Sequence, residues 1–464
     1  MPHIITRSKP TLAFIPPRYT PVVRWLSARI IPIWLRQQLR ITDVELVGGK
    51  ALAQLYQDFN ADKIRFLLAF RHPTVDDPPC IAHAIWNKLP QVARQAGMAR
   101  LKPPHVHFVY ERGIPLWAGR WTGWLFSRLG GTPIRRGTLD SQGLRSIREL
   151  FATGEFPVAI APEGATNGHN ELVSPIEPGI AQFGFWCLDA LSKSGASEKA
   201  VLIVPLGVQY HFVTAPWGAL VERLAALEAD TGLPAPVPAL ALQDGQPPTP
   251  EEDALLYERL LRLGKHLLTQ VEAFYQTYYG YRLPSITDDA ASGTNSEFAA
   301  RLKRLLDTAL TVAEEAFGIT AKGSLSDRCR RVEQAGWDRI YRDETTPDTS
   351  PLTQGLNNLV AEEADLRIWH MRLVESLVSV TGRYVAEAHT IDRYADTTLL
   401  MWKIVNQICG RRPKRRYLGD RTVQITVGEP LPVNQWEAAY RENRRQAVTG
   451  LTQDLQSAME SLIT

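Results

Sequence analysis

His72 and Asp77, five residues apart at the end of an apolar run, are the residues of this 464-residue chain best suited to moving a proton. A histidine that takes a proton from a hydroxyl needs its other ring nitrogen held by an acceptor, usually a carboxylate, which fixes the tautomer and stabilises the imidazolium. The segment reads Phe70-Arg71-His72-Pro73-Thr74-Val75-Asp76-Asp77-Pro78-Pro79. On one continuous helix Asp77 would lie about 140° round from His72, so the two meet only if the chain turns between them. Pro73 disfavours helical geometry at residue 72, and Pro78 with Pro79 are expected to stop any helix soon after 77. A short turn is what remains. The alternative for the same residues is a turn whose aspartates cap the next segment.

Three later segments carry groups of related use. Gly130 to Gly137 reads GGTPIRRG, a glycine turn, a short strand and two arginines, Arg135 and Arg136, either of which offers a forked donor to a phosphate or carboxylate. Residues 157–167, PVAIAPEGATN, run an apolar strand into Pro162-Glu163-Gly164, at the kind of strand end where α/β sheets meet ligands. Residues 202–208, LIVPLGV, read as a buried strand interrupted by Pro205. Taken singly, these are also surface arginines, a strand-end turn and a bulged strand.

In this order and spacing the four segments resemble the glycerophospholipid acyltransferase family, which includes the lysophosphatidate and glycerol-3-phosphate acyltransferases. His72 and Asp77 match its H-x-x-x-x-D motif, with Thr74 where the family often has Ser; GGTPIRR, with Arg136 as the aligned arginine, matches the second motif; Pro162-Glu163-Gly164 the third; the strand around Pro205 the fourth. The resemblance covers roughly 50–216 and resumes at 421–464. Arg71 stands where the family often has Asn, and Ala165-Thr166-Asn167 replaces its usual Thr-Arg or Thr-Ser pair. The resemblance implies that His72 is a general base on an acceptor hydroxyl, oriented by Asp77, and that the donor is an acyl thioester, acyl-CoA or acyl carrier protein. The acceptor it implies is a lysophospholipid or related glycerolipid. Arg136 and Arg135 would hold its phosphate, and Glu163 with the Gly164 backbone would position its hydroxyls. No metal or redox cofactor is implied. A catalytically silent relative that binds lipid or a partner protein is the alternative.

The elements that must position these residues follow from periodicity. Ile64–Phe70, Val106–Tyr110, Pro133–Arg135, Pro157–Ala161 and Val201–Val208 read as strands separated by helical segments, which predicts an α/β fold with a mixed, largely parallel sheet flanked by helices. After Pro216 the chain reads as helices for some 200 residues; Thr249 with Pro250, Glu251 and Glu252 marks one start, and another helix is expected over 356–388. Arg421–Val427 alternates like a half-buried strand and precedes a polar helix over 436–462. The expected organisation is an amphipathic N-terminal segment at 1–49, the α/β core at 50–216, an all-helical insertion at 217–416, and a closing strand and helix of the core at 417–464.

Composition bounds the partners. With 52 Lys+Arg against 49 Asp+Glu the net charge is +3, which argues against a nucleic-acid binder. Four scattered cysteines suggest neither a zinc site nor a disulfide framework, and Cys80 reads as a small core residue. His105 and His107 lack a third ligand nearby. There is no G-x-S-x-G, P-loop, dinucleotide or zincin motif. The uncharged stretch 200–221 contains Pro205, Gly207 and Pro216 and does not read as a spanning helix. Residues 21–40 mix Trp25 and Trp34 with arginines, Pro32 being expected to break any single helix there, and Trp117, Trp121, Trp124 and Leu125 form a second stripe, read as core, the alternative being that it lines an acyl-chain groove or enters the membrane interface. With the basic run 411–416, these suit a cytoplasmic protein held peripherally on a membrane surface.

Overall fold

The computed structural model describes residues 5–135, 140–234, 240–281, 294–342, 349–378, 380–411 and 417–463. The chain forms two compact units, one of 13–135, 139–213 and 420–464, the other of 1–12, 136–138 and 214–419.

The first unit is built on a sheet of eight strands: β1 (Ile41–Val47), β2 (Ile64–Phe70), β3 (His107–Glu111), β4 (Thr132–Ile134), β5 (Val158–Ile160), β6 (Ala200–Phe212), β7 (Arg421–Val427) and β8 (Leu431–Pro432). The spatial order is β1-β7-β6-β2-β5-β3-β4, with β8 also on β6. Pairing is parallel from β6 through β4; β7 is antiparallel to β6 and parallel to β1. β2 has no polar alternation because both its faces are covered. Leu67 and Ala69 enter the core with Ile147, Ile180, Phe185 and Leu451, while the Phe66 ring meets Tyr56 and Phe59 edge-on. Parallel alignment puts the ends of β2, β3, β4 and β5 along one edge, where the connecting loops gather.

Pro205 does not interrupt β6. It pairs with Ala69 of β2 on one side, and on the other it falls between the last β7 pair, Leu206 with Val427, and the first β8 pair, Ile203 with Leu431. The residue without an N–H thus sits where one antiparallel ladder has stopped and the next has not begun. β6 is also longer than expected, running past the end of β2 to Phe212; β2 and β7 have the expected bounds, and β3, β4 and β5 differ from theirs by one residue at each end.

Other expectations need correction. β1 lies inside the 1–49 segment, where no strand was foreseen. Pro32 does not break the helix Pro21–Gln38. The carbonyl it deprives of an N–H donor is that of Ala28, and Asn87 Nδ2 donates to it at 2.9 Å. Pro78 and Pro79 do not stop a helix; they lie in the first turn of Asp77–His83, where the missing N–H groups have no helical partner to lose. Trp121 and Trp124 are not core: they stand 64% and 56% exposed on Arg120–Arg128. The polar C-terminal helix is two pieces, Glu437–Glu442 and Arg444–Glu460, because extended Asn443 caps the second.

The second unit is helical: Trp217–Thr231, Pro250–Tyr279, Thr294–Phe317, Leu325–Ile340, Pro351–Leu377, Tyr384–Glu387 and Ile391–Ile408. Thr249 caps the second through a full capping box with Glu252. The helix expected over 356–388 starts and ends earlier, and Gly382, at φ +72°, lies in the break that follows it. Leu305, Leu310, Val332, Ile340, Ile368 and Val374 are among its core.

Candidate active site

Thr74 builds the turn after β2: its carbonyl accepts the N–H of Asp77 and its hydroxyl that of Asp76. Asp77 opens its helix wholly buried, and its side chain turns back instead of capping the helix. Oδ2 accepts from His72 Nδ1 at 2.8 Å and from the Thr74 N–H at 3.0 Å, and Oδ1 accepts from the hydroxyl of Tyr210. The side chain of His72 keeps 19% of its surface in solvent. With Nδ1–H committed to Asp77, Nε2 is the nitrogen left to take a proton. Burial pushes the Asp77 carboxyl up from its ordinary value, and its hydrogen bonds with His72 and Tyr210 pull against that shift.

Glu163 lies at the end of β5, beside His72, because β5 pairs with β2. Gly164 follows it at φ +72°, a conformation other residues rarely adopt. Glu163 Oε1 accepts the backbone N–H of His72 at 2.8 Å, and Oε2 accepts from Asn167 Nδ2 and the Ser174 N–H, each at 2.9 Å. The carboxylate therefore anchors the loop that carries His72. Burial pushes Glu163 up as well, against the His72 N–H and the charge of Arg71.

Arg71 is fully buried and stitches the loop 167–174 to β6. Nη2 donates to the carbonyls of His169 at 2.7 Å and Leu172 at 2.6 Å, and Nη1 donates to Val208 at 3.1 Å and to the Asn170 carbonyl. Asn170 in turn exchanges two 2.7 Å hydrogen bonds with the backbone of Tyr210. These contacts occupy the edge of β6 left open where β2 ends, with side chains replacing the missing strand.

The structure thus brings His72, Asp77 and Glu163 together. Arg135 stands apart, after β4, three strands from β2 at the same edge, about 14 Å away at the usual strand spacing. Its N–H is bound by Asp140 Oδ2, which also accepts from Arg112. Arg136 lies outside the described residues. His105 and His107 are buried: Trp86 Nε1 donates to His105 Nδ1 at 2.9 Å, its Nε2 meets the Leu129 carbonyl, and His107 Nδ1 meets that of Gly130. Among the described residues no cluster of metal-ligating side chains is found. Cys80 is buried, with its thiol pushed well up by desolvation. Sequence reasoning missed Asn170 and Tyr210 and gave Arg71 and Asn167 no role. Arg71 and Asn167 stand out in the sequence as departures from the family pattern; nothing there points to Tyr210.

No curated protein and no solved structure gives a significant match to the chain. The family described as Acyltransferase matches residues 53–209, a third of the chain that holds His72, Asp77, Arg135, Arg136, Glu163 and Gly164 and ends one residue before Tyr210. Residues 53–209 therefore carry a match to the acyltransferase family, as a domain of the glycerophospholipid acyltransferase kind.

Proposed function

We propose that the chain is an O-acyltransferase that moves a fatty acyl group from a thioester, acyl-CoA or acyl carrier protein, to a hydroxyl of a glycerolipid acceptor such as a lysophospholipid. The observation that carries this reading is the 2.8 Å contact of a partly exposed His72 with buried Asp77, inside the segment that matches the family. His72 Nε2 takes the proton of the acceptor hydroxyl as its oxygen attacks the thioester carbonyl, and Asp77 steadies the imidazolium. Collapse of the tetrahedral intermediate breaks the C–S bond. The thiolate leaves with the proton held on His72, giving an ester and a free thiol. Arg136, with Arg135, is assigned to the acceptor phosphate on the resemblance alone.

A membrane surface as the source of the acceptor is supported by the helix Pro21–Gln38. Val22, Leu26, Ile30 and Ile33 form an exposed apolar face flanked by exposed Trp25 and Trp34, and Arg29 lies over the Trp25 ring at 3.6 Å. Among the described residues no helix is long and apolar enough to cross a membrane.

The decisive test is thiol release from acyl-CoA with lysophospholipid acceptors, by wild type and by His72→Ala. General-base removal is expected to cost about 10²–10⁴-fold in kcat. Asp77→Asn is expected to cost less, because the base remains but is poorly oriented. Full turnover by folded His72→Ala protein would remove the assignment.

A further inference from the structure

β6 runs past the end of β2, and this overhang delivers Tyr210 to the far side of Asp77, 133 residues along the chain. The Tyr210 ring is buried beneath the Arg421 guanidinium at 4.8 Å, and its backbone is clamped by Asn170. The phenol is therefore held from three directions, and its one proton is aimed at a carboxylate oxygen that His72 does not use.

We infer that Tyr210 is a positioning residue for the catalytic pair: its hydroxyl fixes Asp77 Oδ1, so that Oδ2 stays turned to His72 Nδ1. The inference rests on His72 being the base. A wholly buried carboxylate with one oxygen unpaired would be both costly and free to rotate. The Thr74 N–H holds Oδ2 from the loop side and Tyr210 holds Oδ1 from β6, which leaves one orientation. Other charged or titratable groups facing the pair are Asp76, Cys80, Arg421, Glu163 and Arg71. None of them changes in the variants below.

The sign of the pH effect follows from the donor. Without the phenol proton the Asp77 carboxylate is less stabilised and pulls harder on the imidazolium. The pair then keeps its proton to higher pH, and the acid limb of kcat/KM moves up by about one unit or less, the usual weight of one donor. A Tyr210 that only filled space would leave the limb in place.

The experiment measures thiol release against pH for wild type, His72→Ala, Tyr210→Phe and a protein with 3-fluorotyrosine at 210, whose phenol is more acidic and a stronger donor. For Tyr210→Phe the expected result is a kcat about tenfold lower, KM for donor and acceptor little changed, and the acid limb raised. The fluorinated protein should show the limb lowered. An unmoved limb in folded Tyr210→Phe overturns the inference; where that variant does not fold, an unmoved limb in the fluorinated protein does so. Turnover in His72→Ala would instead overturn the assignment of the base, which keeps the two failures apart.

Discussion

Replacing Glu163 with Gln separates two roles that the sequence could not. Three donors converge on its two oxygens: the His72 N–H on Oε1, and Asn167 Nδ2 with the Ser174 N–H on Oε2. Glutamine brings one acceptor oxygen and an NH₂ that accepts nothing. With its oxygen toward His72, it strands both donors on the other side. With its oxygen toward Asn167 and Ser174, it strands only the His72 N–H. Asn167 cannot relieve the conflict by flipping, because Nδ2 also donates to the Leu172 carbonyl and Oδ1 accepts the His169 N–H. The second orientation is therefore favoured, and it releases the backbone of His72. A hydrogen bond to a charged group is worth about 1.5–3 kcal/mol, and a stranded buried donor costs about 1–3. Relief of the desolvation that raises the Glu163 carboxyl works against these, leaving a loss of about 2 kcal/mol. For a unit of this size that lowers its melting transition by about 4–8 °C. Thermal melting followed by calorimetry and steady-state kinetics with varied acceptor read both sides: kcat is expected to fall while acceptor KM stays nearly constant. An unchanged melting transition with a raised acceptor KM would refute the anchoring argument and leave Glu163 as a ligand for acceptor hydroxyls.

Two more outcomes follow. Burial pushes His105 down to about 3, against an ordinary value near 6.5, so on acidification the unfolded chain takes up the proton first and stability falls with pH below about 6.5. At pH 5 that amounts to about 2 kcal/mol. Asp77 and Glu163, raised by burial, act in the opposite sense, so the check is a difference: urea melts at pH 7 and pH 5 should show a smaller acid loss in His105→Gln than in wild type, and equal losses would contradict it. Co-sedimentation with vesicles containing anionic lipid should show binding that salt weakens but does not abolish, reduced by the double change Trp25→Ser with Trp34→Ser; a wild type that stays in the supernatant at low salt gives these segments no membrane role.

What was legible in the sequence was whatever short-range patterning encodes. The run Ile64–Phe70 gave β2 to the residue because burial on both faces leaves Arg65, near its start, as its one polar residue, and Thr249-Pro250 gave a helix start because capping is local. The His72–Asp77 contact was legible as a possibility from proline and turn chemistry alone. Errors arose where a distant group changes a local rule: Pro32 sits within a helix because Asn87 serves the carbonyl it frees, and Pro78 reads as a stop or a start according to which side of it the helix lies. Tyr210 was invisible for the same reason, since it meets Asp77 only through the pairing of β6 with β2 and the length of the overhang.

The position of β1 in the sheet has a consequence for the birth of the molecule. Its pairing partner is β7, and 374 residues separate Val47 from Arg421. At about 5–20 residues per second, a ribosome needs roughly 20–75 s to supply that partner. Throughout that interval the hydrogen-bonding groups of β1 have no strand to meet, and one flank of β6 also waits for β7. The helices of 217–408 are complete before either strand is served, so the nascent chain carries finished helical segments beside an unfinished sheet. The sheet can close only once β7 has been made, so its unpaired strand edges are exposed for longest while the residues between 213 and 421 are being added.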